Sequence, residues 1–88
     1  MSSFVGMEIA AVRQLAMQLG AKADEIDQLA AQLTQQLAGT QWVGSDATRF
    51  RDDWQSVHVP ALRNVSGALR TARDAATRNA DEQDQASS

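Results

Sequence analysis

From Val5 to Leu37 the apolar residues recur in alternating steps of four and three: Val5, Ile9, Val12, Ala16, Leu19, Ala23, Ile26, Ala30, Leu33, Leu37. Such spacing keeps one face of an α-helix apolar and does not fit the two-residue alternation of a strand. It predicts a helix over residues 3–38, a rod about 50 Å long. Read as heptads, one seam position is Val5, Val12, Leu19, Ile26 and Leu33, and the other is mostly alanine. Large residues facing small ones let two helices approach closely and interdigitate. Leu15 and Leu29 widen the stripe on one flank beyond what a single neighbouring helix covers. Gly20 interrupts the run at a cost of about 1 kcal/mol relative to alanine, which the surrounding pattern absorbs.

Residues 39–45 read as a turn. Gly39 suits a left-handed position just past the first helix. Ser45 or Asp46 can cap the next helix, Asp46 also being favoured there by the helix dipole. Ala47, Phe50, Trp54, Val57 and Ala61 form a second stripe, and Leu62, Val65, Leu69, Ala72 and Ala76 form a third with the same step. The third is offset from the second by one residue, about 100° around a helix axis, and Pro60 sits at the offset. A proline removes the bond to the Ser56 carbonyl and disfavours helical geometry at Val59. The second helix, over residues 46–79, is therefore expected to kink or loosen near Ser56–Pro60. A complete break is the alternative, and the immediate return of the stripe favours the kink. From residue 80 the pattern gives way to an acidic, polar tail without large apolar groups, expected to fray or be disordered in isolation.

The 88 residues make one all-α domain, an antiparallel helical hairpin. A chain of this size buries only about 60–65% of its unfolded surface, and alanine contributes little burial per residue. With no cysteine and a single histidine, neither disulfides nor a metal stabilises it. A hairpin buries only the faces where its helices meet, so a long apolar patch remains, including the Leu15/Leu29 flank and part of the Leu62–Ala76 run. Exposed patches of this kind mark association surfaces, and two such hairpins packed together form a four-helix bundle. The seam residues of hairpin and dimer are Val12, Leu15, Leu19, Ile26, Leu29, Leu33, Leu62, Val65 and Leu69.

The turn itself carries the most distinctive stretch, "TQWVGSDATRFRDDW". It reads Trp42-x-Gly44, then Ala47, Phe50 and Trp54, or W-x-G-x-x-A-x-x-F-x-x-x-W. Lying in the reversal of a hairpin of this length, it resembles the WXG family of small type VII secretion substrates, relatives of the mycobacterial early secreted antigenic target. The resemblance covers essentially the whole chain. It implies a non-enzymatic helical hairpin that pairs as a homodimer, or as a heterodimer with a similar small WXG protein, in a four-helix bundle. It also implies export by an ATPase-driven membrane machine of Gram-positive bacteria, mainly actinobacteria and firmicutes. The protein would be cytoplasmic before export and secreted without a cleavable signal peptide. In that setting Gly44 relieves steric demand at the reversal and Trp42 folds across the helix ends. Phe50 and Trp54 extend the packing into the seam. The indole N–H of Trp42 favours a half-exposed site, which suits both closing the hairpin and contacting the export machinery. One departure stands out. The family's export signal, a tyrosine followed four residues later by an acid, has no counterpart, because the chain contains no tyrosine.

Other chemistries find little support. His58 has no cysteine and no serine–acid arrangement to work with. Asp52–Asp53 and Asp81–Glu82–Asp84 lack the spacing of a cation loop, and there is no glycine-rich phosphate loop. No enzyme activity, metal, cofactor or small-molecule substrate is expected. The arginines Arg63, Arg70, Arg73 and Arg78 form a basic strip, but a net charge of −3 argues against nucleic-acid binding. Solvation, or cross-chain pairing with Asp24, Glu25 and Asp27, accounts for them. No apolar run reaches the ~20 residues that span a bilayer, and no basic amphipathic helix suggests membrane disruption. The N-terminal residues have no basic segment followed by an apolar run, unlike a secretory signal peptide. A cytoplasmic helical dimerisation or adaptor module that is not itself exported is the alternative reading.

Overall fold

The computed structural model describes residues 3–87, with side chains from residue 8 onward; Val5 of the first stripe and the last residue of the tail fall outside that description. Helix α1 spans Ser3–Gly39, α2 Ser45–Asp53, and α3 Val59–Ser87, with a π-helical turn, Trp54–His58, joining α2 to α3. The second arm lies antiparallel to α1, as the Arg13–Asp81 and Arg70–Asp27 ion pairs along its length require. The Cα trace measures 66 × 17 × 12 Å, with a radius of gyration of 19.6 Å. A compact chain of this length has a radius near 12 Å. The molecule is a two-helix rod.

The inner seam is built from small residues. Ile9, Ala16, Ala23 and Ala30, seven apart, are buried, and Val59, Ser66 and Ala80 face them from the return arm. Arg73 fills the remaining heptad place on that arm and is half-buried. Methyl groups on facing helices allow close approach but bury little area. Gly20 belongs to this arrangement: a Cβ there would lie 3.1 Å from Cδ of Arg73, so the missing side chain is the room through which Arg73 crosses α1.

The one-residue offset between the second and third stripes has a structural counterpart. Ala47, Arg51 and Trp54 turn inward before it, and Val59, Leu62 and Ser66 after it. The step from Trp54 to Val59 is five residues instead of three or four. The N–H of Val59 bonds back to the Trp54 carbonyl, five residues earlier. A π-turn is the insertion of one residue into a helix, and it rotates the following face by the amount the stripes are offset. The expected kink near Ser56–Pro60 thus takes the form of a π-turn ending just before the proline, without a break. The Ser56 hydroxyl bonds the Asp52 carbonyl at 2.7 Å within it, a side-chain competition that loosens helical pairing.

Three expectations are corrected. Gly39 is the last residue of α1 and not left-handed, since Gly44 is the only described residue with positive φ. Neither Ser45 nor Asp46 caps α2. Gly44 occupies the N-cap and accepts the Thr48 N–H at 3.1 Å, while Asp46 lies in the first turn, where the dipole favours it. The polar tail is helical to Ser87. Ala80 is only 2% exposed, and Arg13 holds Asp81 at 2.7 Å and Asp84 at 3.5 Å. These tertiary contacts supply what the tail's own composition lacks.

Candidate functional site

The reversal at residues 40–44 is held by a residue outside the aromatic motif. The guanidinium of Arg51 donates to the carbonyls of Trp42 at 2.8 Å, Thr40 at 2.9 Å and Leu37 at 3.4 Å. The last carbonyls of a helix have no partner within it. One planar, five-donor fork supplies partners for the end of α1 and for the turn beyond it. The Thr40 hydroxyl completes the cap by bonding the Gln36 carbonyl at 2.6 Å. Gly44 follows with φ +125° and ψ 175°, a region essentially reserved for glycine. A Cβ there would meet nothing within 4 Å, so the requirement is one of backbone conformation and not of space.

The aromatic residues divide into an anchor and an exposed pair. Trp54 is half-buried and its indole N–H donates to the Thr34 hydroxyl at 2.8 Å. Thr34 in turn donates to the Ala30 carbonyl at 2.7 Å. This chain ties the start of the π-turn to α1. Trp42 and Phe50 pack ring on ring, with centroids 5.4 Å apart and planes tilted by 53°, a favoured aromatic geometry. They remain 39% and 47% exposed, and Val43 at the tip is 94% exposed. Ala47, the alanine of the motif, is fully buried. Phe50 and Trp54 line a groove with Leu33 and Leu37, so these two rings continue the apolar surface of α1.

The two long sides of the rod differ in chemistry. On one, Ser66, buried to 1%, donates to Asp27 at 2.7 Å, and Arg70 bridges Asp27 at 2.7 Å and Asp24 at 2.8 Å. The hydroxyl of Ser66, and then the guanidinium of Arg70, hold the Asp27 carboxyl below the usual carboxylate range, and the two carboxylates raise Arg70. Asp24 and Asp27 thus pair with Arg70 within the chain. On the other side the heptad positions of Val12, Leu19 and Ile26 align with Leu62 and Leu69 of α3, all half-buried. Leu15, Leu29, Leu33 and Val65 on that side are 54%, 54%, 42% and 49% exposed. Every expected seam residue is thus on this open side, and the closed inner seam belongs to the alanine column. The molecule exposes 6374 Å², whereas a compact monomer of 9.5 kDa exposes about 5,000 Å².

His58, in the π-turn, packs its ring 6.1 Å from that of Trp54. Among the described residues no three His, Asp or Glu side chains are grouped to hold a metal ion, and no described helix is long and apolar enough to cross a membrane. Protein-family models, curated proteins and solved structures yield no match to this chain.

Proposed function

We propose that the chain is a non-enzymatic substrate, or the dimer partner of a substrate, of a type VII secretion system. The observation that carries the reading is the Trp42-x-Gly44 reversal. A glycine-only backbone at Gly44 and a tilted Trp42–Phe50 pair place an exposed aromatic knob at one tip of a helical rod. The side of the rod below that knob is apolar and half open, and the excess exposed area is what a chain built to pair would show. A four-helix bundle of two such hairpins covers it. In this reading the secretion ATPase is the second partner, and the chain is cytoplasmic until exported.

The absence of tyrosine bears on recognition. Binding energy at protein interfaces concentrates in a few aromatic or bulky anchors, and after Leu69 the chain offers only alanine among apolar residues. Recognition then falls to the exposed Trp42–Phe50 tip or to a partner bearing the tyrosine signal. The test follows export in the native host for two variants. Removing residues 81–88 is expected to leave export intact, provided the hairpin survives loss of the Arg13 ion pairs. Trp42→Ala, while folded, is expected to abolish it if the tip is the signal and to leave it intact if a partner carries the signal. Export lost on truncation but retained in Trp42→Ala, both folded, would place the signal in the acidic end and refute this assignment.

A further inference from the structure

The side of the rod away from Leu15 and Leu29 carries a groove of about 680 Å³ between α1 and the return arm, which pairing over the leucines leaves open. Its floor is Ala30, Ala31 and Val59, and its walls are polar. Ser66 occupies a seam position that Val59 and Ala80 fill with apolar groups. Buried to 1%, it donates to one oxygen of Asp27 at 2.7 Å, and Arg70 donates to the other at 2.7 Å. Partnered in this way, the three groups fix that end of the groove. Arg63 is different. It lines the same groove and is exposed. Among the described residues its guanidinium meets Asp27 through its field alone, without a hydrogen bond or ion pair. Two guanidiniums and one carboxylate leave the groove with one unit of positive charge, on a chain whose net charge is −3.

The other end of the groove is lined by Gln35 of α1 and by Gln55 of the π-turn. A carboxamide both donates and accepts. Such groups match the edge of an extended chain, whose N–H and C=O groups alternate, whereas a helix uses its backbone groups internally. We propose that this groove binds an extended, acidic peptide segment of a partner protein, with one side-chain carboxylate on Arg63 and backbone groups on Gln35 and Gln55. One unit of positive charge matches a carboxylate better than the roughly two negative charges of a phosphate group, which Asp27 also repels. From Asp27 to Gln35 the helix rises about 12 Å, the length of about four extended residues. The alanines of the floor leave room for their backbone.

The probe is a displayed library of random heptapeptides, panned on the full-length protein and in parallel on Arg63→Gln. Arg63 and Ala31 are both exposed, so changes at either leave the core alone, and circular dichroism checks that helicity is kept. Peptides enriched on the parent are expected to share an acidic residue. Replacing that acid by its amide, or the protein by Arg63→Gln, should weaken binding about tenfold or more, since either removes a charge-assisted hydrogen bond. Arg78→Gln removes the same charge away from the groove and should weaken binding by less than about twofold, because exposed charges are screened. Ala31→Leu raises the floor without altering charge and should abolish binding, a loss that diffuse electrostatic attraction does not predict. In amide NMR spectra an enriched peptide should shift Ala31, Gln35, Gln55 and Arg63. Enrichment without a shared acid overturns the carboxylate, and a helical bound peptide overturns the extended conformation. Equal binding by parent and Arg63→Gln, shifts confined to the leucine flank or the Trp42–Phe50 tip, or no binder above background overturns the groove as a peptide site.

Discussion

Arg51 lies outside the W-x-G motif, yet the structure assigns it the work of closing the turn. Arg51→Met keeps the aliphatic stem and removes the fork. A hydrogen bond to a charged group contributes about 1.5–3 kcal/mol net. The bonds to Trp42 and Thr40 are short, at 2.8 and 2.9 Å, and the bond to Leu37 is long, at 3.4 Å. The Leu37 carbonyl also receives the Thr40 N–H at 3.3 Å, so its loss is cushioned, and the two exposed carbonyls regain water. The expected net cost is about 2–3 kcal/mol, equivalent to a fall in Tm of roughly 10–20 °C for a domain of this size. Arg51→Lys keeps the charge but offers a point donor in place of a fork, and should recover less than half of that. Urea denaturation at a single fixed protein concentration measures both, because association shifts apparent stability. Amide exchange should localise the loosening to residues 40–44. A midpoint for Arg51→Met within about 0.5 kcal/mol of the parent, the range of neutral surface changes, would show that the turn does not need its clamp.

Gly44→Ala should cost about 1–3 kcal/mol through backbone strain alone, whereas Gly67→Ala, helical and with open space around its Cβ, should stabilise by up to about 1 kcal/mol; equal melts for the two variants would refute the assignment of strain. Trp42→Ala should cost about 2 kcal/mol, less than the 3–5 of a fully buried ring, because 39% of the residue is already exposed; a urea midpoint unchanged from the parent would mean the ring makes no structural contact. Asp27, lowered by Ser66 and Arg70, contributes stability that is fully present above the ordinary carboxylate pKa of about 3.9 and is lost as pH falls through the lowered value. The stability gap between parent and Asp27→Asn should therefore hold from neutral pH to about 4 and close in stronger acid, and a gap constant down to pH ~2 would contradict that linkage.

The hairpin was legible because α1 holds one helical period from end to end, and the stripes of the second arm repeat it. The offset at Pro60 was legible as a disturbance but not as a π-turn, since a kink and a one-residue insertion displace a stripe equally. Which seam closes the hairpin was harder to see. Leucines dominate the pattern by volume, yet two lone helices approach most closely along alanine, leaving Leu15, Leu29 and Val65 at the open side. Arg51 escaped notice because its acceptors are backbone carbonyls, which leave no mark in sequence. The helical tail escaped for a related reason: Arg13 lies 68 residues before Asp81, and composition alone cannot report a contact at that range. Gly44 was the opposite case. A glycine two residues after a tryptophan in a turn announces a special backbone, and its φ of +125° is that conformation.

Export is the property on which the functional reading turns. The direct measurement is the amount of this protein outside cells of its native host, with the type VII secretion ATPase present and with it deleted, alongside a cytoplasmic marker for lysis. The proposal predicts extracellular protein in the first strain and retention in the cytoplasm, at unchanged total amount, in the second. Protein that remains cytoplasmic in both strains, or leaves the cell equally in both, contradicts it; the first outcome favours a cytoplasmic dimerisation module with the same fold.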